Sequence, residues 1–184
     1  MAQRVSGYDR VADDRYETPR EITATIIPYL RRMRVRRIWE PAHAPADKLG
    51  NALREAGFTV TSTGGDFLAV KSKPRGAQAL VTNPPYGKQG RLSEAFIRHA
   101  FKLKVRHVIL LLPIDFDSGL TRAALFGDCD FFNGKIVLLR RIMWFPGDSG
   151  PSTNHGWFLW WRGRADPRLR YATPARQQFD QAAE

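Results

Sequence analysis

The sequence predicts an α/β fold built on a mostly parallel sheet with an antiparallel edge. Short apolar runs of strand length alternate with amphipathic helical segments as far as residue 126, the pattern of parallel strands joined by helical crossovers. The run 105–112 is apolar throughout, as expected of a strand covered on both faces. Two further strand-like runs, 135–145 and 155–161, follow with no helix between them. They predict an antiparallel pair at a sheet edge.

Each element has its own local signal. Thr18 and Glu21 bracket Pro19 as a capping box, opening a helix with Ile22, Ile26, Ile27 and Leu30 on one face. Five arginines follow within residues 31–37. They read either as a solvated helix end or as a phosphate-contacting patch. Val35, Ile38 and Trp39 make a first strand that ends at Glu40 and Pro41. After the loop 42–46, Asp47 caps a helix over 48–56 that Gly57 stops. Residues 58–62 alternate as a second strand, 67–70 form a brief third, and 78–82 a fourth, with a basic loop over 71–77. A helix over 91–104 precedes the long apolar strand. Beyond that strand, Asp115 and Asp117 flank Phe116; capping of a short helix from Ser118 to Phe126 is favoured over lining a pocket mouth. Trp157, Trp160 and Trp161 share one strand, so they cannot all face one way and at least one belongs to the core.

A chain of 184 residues is read as a polar arm (1–18), one domain (19–162) and a basic polar tail (163–184). The net charge of +11, from 29 basic and 18 acidic residues, points to a polyanionic partner, nucleic acid first. The single cysteine, Cys129, excludes an intramolecular disulfide framework and a cysteine-rich zinc site, and no metal is expected. The start is polar and no window approaches 18 apolar residues. The expectation is therefore a cytoplasmic protein without signal peptide or membrane span.

The most specific stretch is Asn83-Pro84-Pro85-Tyr86, directly after the fourth apolar run and before Gly87. Its prolines fix two φ angles and remove two backbone donors, and Pro84 drives Asn83 out of the helical region. The result is a stiff turn that holds Asn83 and Tyr86 in a set geometry.

This stretch resembles motif IV of the amino-methyltransferases that use S-adenosylmethionine. Together with the order of elements, residues 16–161 resemble the small phage- and prophage-type DNA N6-adenine (or N4-cytosine) methyltransferases. The resemblance implies a Rossmann-like methyltransferase fold, S-adenosylmethionine as cofactor, and methylation of an exocyclic base amine in DNA, adenine N6 first. It implies that the Asn83 amide oxygen and the Pro84 carbonyl accept the amine hydrogens while Tyr86 stacks on the base. It places Tyr16, Thr18, Pro19, Glu40, Ala42, Thr63, Asp66, Phe67 and Asn83 against the cofactor. Pro85, Tyr86, Phe116 and Trp157 fall on the target side, and Arg31 and Arg32 join them from the basic run. His43 is read as an exposed loop histidine, because amine methylation by this route needs no strong base on the enzyme.

The pattern departs from the family in the donor half. Ala44 and Ala46 fill positions where the family has glycine, and no acid stands at the end of the second strand. Alternatives are therefore a catalytically impaired nucleic-acid-binding homologue and an RNA or protein amine methyltransferase. The sequence shows no substantial target-recognition domain; relaxed specificity, a homodimer or partner subunit that supplies specificity, or a single-stranded substrate would each fit.

Overall fold

The computed structural model describes residues 16–144, 153–163 and 168–172. The first helix, α1 (Arg20–Arg32), turns Ile22, Ile26 and Leu30 inward. The predicted capping box does not form. Pro19 holds the cap position, its carbonyl accepts from Ile22 N and Thr23 N, and Thr18 is buried outside the helix. Strand β1 (Arg37–Glu40), helix α2 (Lys48–Glu55) and strand β2 (Thr59–Ser62) follow. Asp47 caps α2 as expected, its Oδ1 accepting from Gly50 N at 3.2 Å.

Residues Phe67–Ala69 form a 3-10 turn and not the expected third strand. Asp66 Oδ1 accepts from Leu68 N at 2.9 Å. Phe67 is drawn into the core against Trp39, with ring centres 5.3 Å apart. That local closure leaves no extended segment to pair. The next strand, β3 (Ala79–Thr82), is therefore third in the chain, and Asn83 follows it. Helix α3 (Arg91–Lys102) leads to β4 (His107–Pro113), a 3-10 segment over Leu120–Leu125, then β5 (Phe132–Leu138), β6 (His155–Trp161) and β7 (Arg168–Ala172).

The strands form one seven-stranded sheet in the order β2-β1-β3-β4-β6-β5-β7. Pairings β1–β2, β1–β3, β3–β4 and β5–β7 are parallel, and β6 runs antiparallel to both β4 and β5. The fold is thus the mostly parallel α/β sheet that the sequence predicts, with one correction. The antiparallel strand lies inside the sheet, between β4 and β5, because its apolar residues on both faces need cover from neighbours on either side. The edge is closed by β7, whose residues come from the polar tail. The run over 135–145 pairs only as far as Leu138, and most of the turn-rich loop 146–154 lies outside the described residues.

Two cores flank the sheet. On one face Ile22, Ile26, Leu30, Leu49 and Leu53 pack on Val81, Ile109, Leu111, Trp157 and Leu159. On the other, Phe96, Ile97 and Ala100 pack on Leu80, Val108, Leu110, Phe158 and Trp160. The alternation along β4 and β6 delivers consecutive side chains to opposite cores. Among the described residues no helix is long and apolar enough to cross a membrane.

Pro28 lies inside α1 on its exposed side, where it cannot donate to the carbonyl one turn back. Pro28→Ala is expected to stabilise the fold by about 1–3 kcal/mol. The check is a rise in urea midpoint at unchanged slope.

Candidate functional site

The chain leaves β1 toward β2 on one side and returns to place β3 on the other, so the crossover direction reverses between β1 and β3. In open α/β sheets a crevice forms at such a point, outside the carboxyl ends of the strands. Here those ends are Glu40 and Thr82. The buried Glu40 carboxyl joins them: its Oε1 accepts from Thr82 Oγ1 at 2.6 Å and from Ala42 N at 2.9 Å. Burial pushes its pKa up to about 8, against these two hydrogen bonds and with smaller contributions from Asp47 and Glu17.

Two further carboxyl groups reach the same crevice. Glu17 accepts from Ala46 N (2.6 Å) and Lys48 N (3.1 Å). Its charge therefore lies on unpaired amides at the start of α2. Asp47, in a left-handed conformation (φ 47°), projects its Oδ2 to Ser62 Oγ (2.7 Å) and Arg54 Nη1 (2.8 Å). An acid thus stands at the end of β2 after all, supplied through space by the neighbouring loop. Gly50 makes this possible. A Cβ there would lie 2.3 Å from Asp47 Oδ1.

The Asn83 loop forms the other wall. Asn83 Nδ2 donates to the Tyr16 carbonyl at 3.1 Å, and Asn83 Oδ1 accepts from the Tyr86 hydroxyl at 3.2 Å. The amide orientation follows from these partners, since only the NH2 end can donate to a carbonyl. Pro84 is buried, and Ser93 Oγ donates to the Pro85 carbonyl at 3.2 Å. Gly87 (φ 63°) closes the loop where a Cβ would lie 2.9 Å from Leu92 Cβ. Beyond Tyr86 a chain of rings continues: His155 stacks at 6.1 Å, Trp144 meets His155 edge-on at 5.4 Å, and Tyr16 lies 5.3 Å from Trp144. His155 is buried, which pushes its pKa down to about 4.

Tyr16, Thr18, Glu40, Ala42 and Asn83 therefore converge on one pocket, with Pro84, Pro85 and Tyr86 adjoining. Glu17, Asp47 and His43 line it too. The pocket is narrow, with an interior free volume of about 10 Å³, because the segment 16–18 closes it. His43 is held by its own loop, with Nδ1 3.0 Å from the Ala44 carbonyl.

Other residues singled out from sequence lie elsewhere. Pro19 is spent on the start of α1. Thr63 Oγ1 accepts from Trp39 Nε1 at 2.8 Å, Asp66 is an exposed cap, and Phe67 is core. Phe116 is buried under the Arg122 guanidinium, 4.1 Å above its ring. Trp157 is fully buried, its Nε1 bonded to Thr25 Oγ1. Trp160 packs in the opposite core, and Trp161 lies against His107 at the far end of β6. Arg31 and Arg32 close α1, about 18 Å from its start; Arg31 donates to the Ala56 carbonyl. Neither Asp115 nor Asp117 provides a side-chain cap: Gly119 precedes the 3-10 segment without one, and Asp117 pairs with Lys135 at 2.7 Å. Glu17, Asp47 and His155 were missed because isolated side chains in loops or at a strand end carry no periodic signal.

The buried ionisable groups set a pH dependence. In the unfolded chain Glu40 titrates near 4.5, so its raised pKa contributes stability that is lost as pH rises from there to about 8. His107 and His155, both lowered to about 4 by burial, act oppositely below about 6.5. Of these three groups, only Glu40 changes the balance between about 6.5 and 8. Melting temperature is expected to fall with pH across that window, and Glu40→Gln to flatten the profile.

No family model and no curated protein matches the chain. Its likenesses are to solved structures. One is a protein from Listeria monocytogenes assigned as a class I S-adenosylmethionine-dependent methyltransferase, with a TM-score of 0.60 at 14% identity over 92% of this chain and 68% of that one. Another, from Pyrococcus horikoshii and assigned as an RNA methyltransferase, gives 0.60 at 12% identity over 89% and 93%. A modification subunit assigned to a type I restriction enzyme of Vibrio vulnificus gives 0.56 at 12% identity. There the match covers 89% of this chain but only 48% of the subunit. At such identities the likeness concerns architecture, and the chain has the Rossmann-like fold of S-adenosylmethionine-dependent methyltransferases.

Proposed function

We propose that this protein transfers a methyl group from S-adenosylmethionine to an exocyclic amine of a nucleic-acid base, adenine N6 in DNA first. The observation that carries this is the fixed Asn83 amide beside an acidic crevice at the carboxyl edge of the sheet. With its NH2 held by the Tyr16 carbonyl, Asn83 keeps its oxygen for an incoming N–H. The hydroxyl of Tyr86 now holds that oxygen and yields it when an amine arrives.

The donor set fits the cofactor. Glu17, Glu40 and Asp47 surround one pocket, which favours a ligand carrying cationic groups such as the ammonium and sulfonium of S-adenosylmethionine; Glu40, whose carboxyl burial keeps mostly protonated at neutral pH, would ionise beside such a cation. The amides of Ala46 and Lys48 already hold a carboxylate, that of Glu17, and would hold the cofactor's own. Glu40 and Asp47 would meet its ammonium and ribose. When bound, the cofactor supplies an electrophilic methyl group. Asn83 Oδ1 and the Pro84 carbonyl accept the two amine hydrogens and stabilise positive charge developing on nitrogen. Tyr86 offers its ring as a platform that offsets lost base stacking.

The space fits only after residues 16–18 shift, since Glu17 occupies the amide cradle. This favours a second reading, a nucleic-acid-binding homologue that holds the cofactor too weakly to turn over. Titration calorimetry separates them. Glu17→Ala is expected to tighten cofactor binding about tenfold, because a charge-assisted contact no longer has to be displaced. No heat from either protein at millimolar cofactor supports the second reading.

If the first reading holds, Asn83→Ala lowers methyl transfer to unmethylated DNA by a factor of about 100 or more, with DNA affinity within twofold of the parent. The measurement is incorporation of labelled methyl groups. Parental turnover in this variant removes Asn83 from the mechanism, and methylation of RNA or protein alone removes DNA as the substrate.

A further inference from the structure

The opposite, amino edge of the sheet carries a charge pattern that the transfer site does not use. Beside Asp128 and Asp130, which precede β5, four basic segments meet there: 33–37 running into β1, 71–78 before β3, 103–107 running into β4, and 161–163 at the end of β6. They hold three, three, two and one Lys or Arg respectively, and no Asp or Glu. Arg34, Arg36, Arg37, Arg75, Lys104 and Arg106 are exposed. None of them enters an ion pair among the described residues.

The segments are stitched into one platform by Gln78. Its side-chain oxygen accepts from Arg36 N (2.7 Å) and Arg37 N (3.0 Å). Its backbone donates to the Arg37 carbonyl and accepts from His107 N. Lys73 Nζ donates to the Lys104 carbonyl at 3.0 Å, and Arg37 lies against Gly76. Like charges are thus held together by backbone contacts, against their mutual repulsion. Arg34 (φ 56°) and Lys104 (φ 53°) each follow a helix in the left-handed conformation, a position that favours glycine. Helix dipoles account for cations at those two places. They do not account for Arg36, Arg75 or Arg106.

We propose that this edge is a second nucleic-acid site, which grips the phosphate backbone and anchors the strand away from Asn83. The platform crosses β1, β3, β4 and β6, about 15 Å, the rise of four or five nucleotides of one duplex strand. Guanidinium groups predominate, and their planar fork suits phosphate oxygens. Seven residues of β4, about 23 Å, separate this edge from the Asn83 edge, so phosphates held here belong to a different stretch from the base offered for transfer. The proposal goes beyond the methyl-transfer reading and does not depend on it.

The test is fluorescence anisotropy of a labelled 20-base-pair duplex and a 20-nucleotide single strand, titrated with the full chain at several salt concentrations. The variant Arg36→Glu/Arg75→Glu/Arg106→Glu, its fold checked by circular dichroism, is expected to bind at least about tenfold more weakly. Its log-affinity against log-salt slope should be shallower by about two to three. Unchanged affinity and slope return this edge to a solvated surface. Equal binding of polyglutamate and DNA by the parent at matched ionic strength makes it an acidic-protein surface and overturns the nucleic-acid assignment. The binding assay needs no cofactor, so its failure is distinguishable from failure of methyl transfer.

Discussion

The hydrogen bond from Thr82 to Glu40 ties together the two strand ends on which the rest of the site depends. It spans the point where the crossover direction reverses, linking the end of β1 to the end of β3. A carboxyl group with almost no solvent is costly to ionise, and it is tolerated because Thr82 and Ala42 satisfy it. This contact sets where the loop 42–46 begins and where Asn83 leaves the sheet. The Glu17 cradle and the Asn83 amide follow from those two exits. Residues 16–18 bridge them, with Glu17 on one side and the Tyr16 carbonyl on the other.

Acidic and basic clusters stand at opposite edges of the sheet. Glu17, Glu40 and Asp47 gather at the carboxyl edge, while the four segments around Gln78 at the amino edge carry only basic residues among their charges, with Asp128 and Asp130 before β5 farther along that edge. Parallel strands produce this separation directly, because every crossover returns the chain to the same edge. Loops that precede strands collect at one end and loops that follow them at the other. The arginines of 31–37 and the basic loop 71–77 are far apart in sequence, yet both precede strands and meet through Gln78.

Departures from the expected donor half have a structural resolution. The acid absent from the end of β2 is replaced in space by Asp47, held at Ser62 and made possible by Gly50. The alanines at 44 and 46 leave the Ala46 amide able to donate, and Glu17 takes it. In the proposed methyl-transfer reading, what changes is occupancy: Glu17 sits on the amides of Ala46 and Lys48 that would hold a ligand carboxylate.

Local chemistry in the sequence was enough to determine the α/β class, the doubly covered β4, the Asp47 cap and the stiff turn at Asn83. Each depends on periodicity, proline geometry or a cap within a few residues. Tertiary structure decided the rest. It placed β6 inside the sheet, because burial on both faces requires a neighbour on each side. It sent Trp157 and Phe116 into the cores, because the face of a strand or the packing of a turn is set by distant partners. It brought Glu17 and Asp47 to the crevice, and His155 against Tyr86, from separate elements. Asn83 was legible because its neighbours in sequence constrain it, whereas its partners were not, because the contacts that orient them cross up to 67 residues of chain.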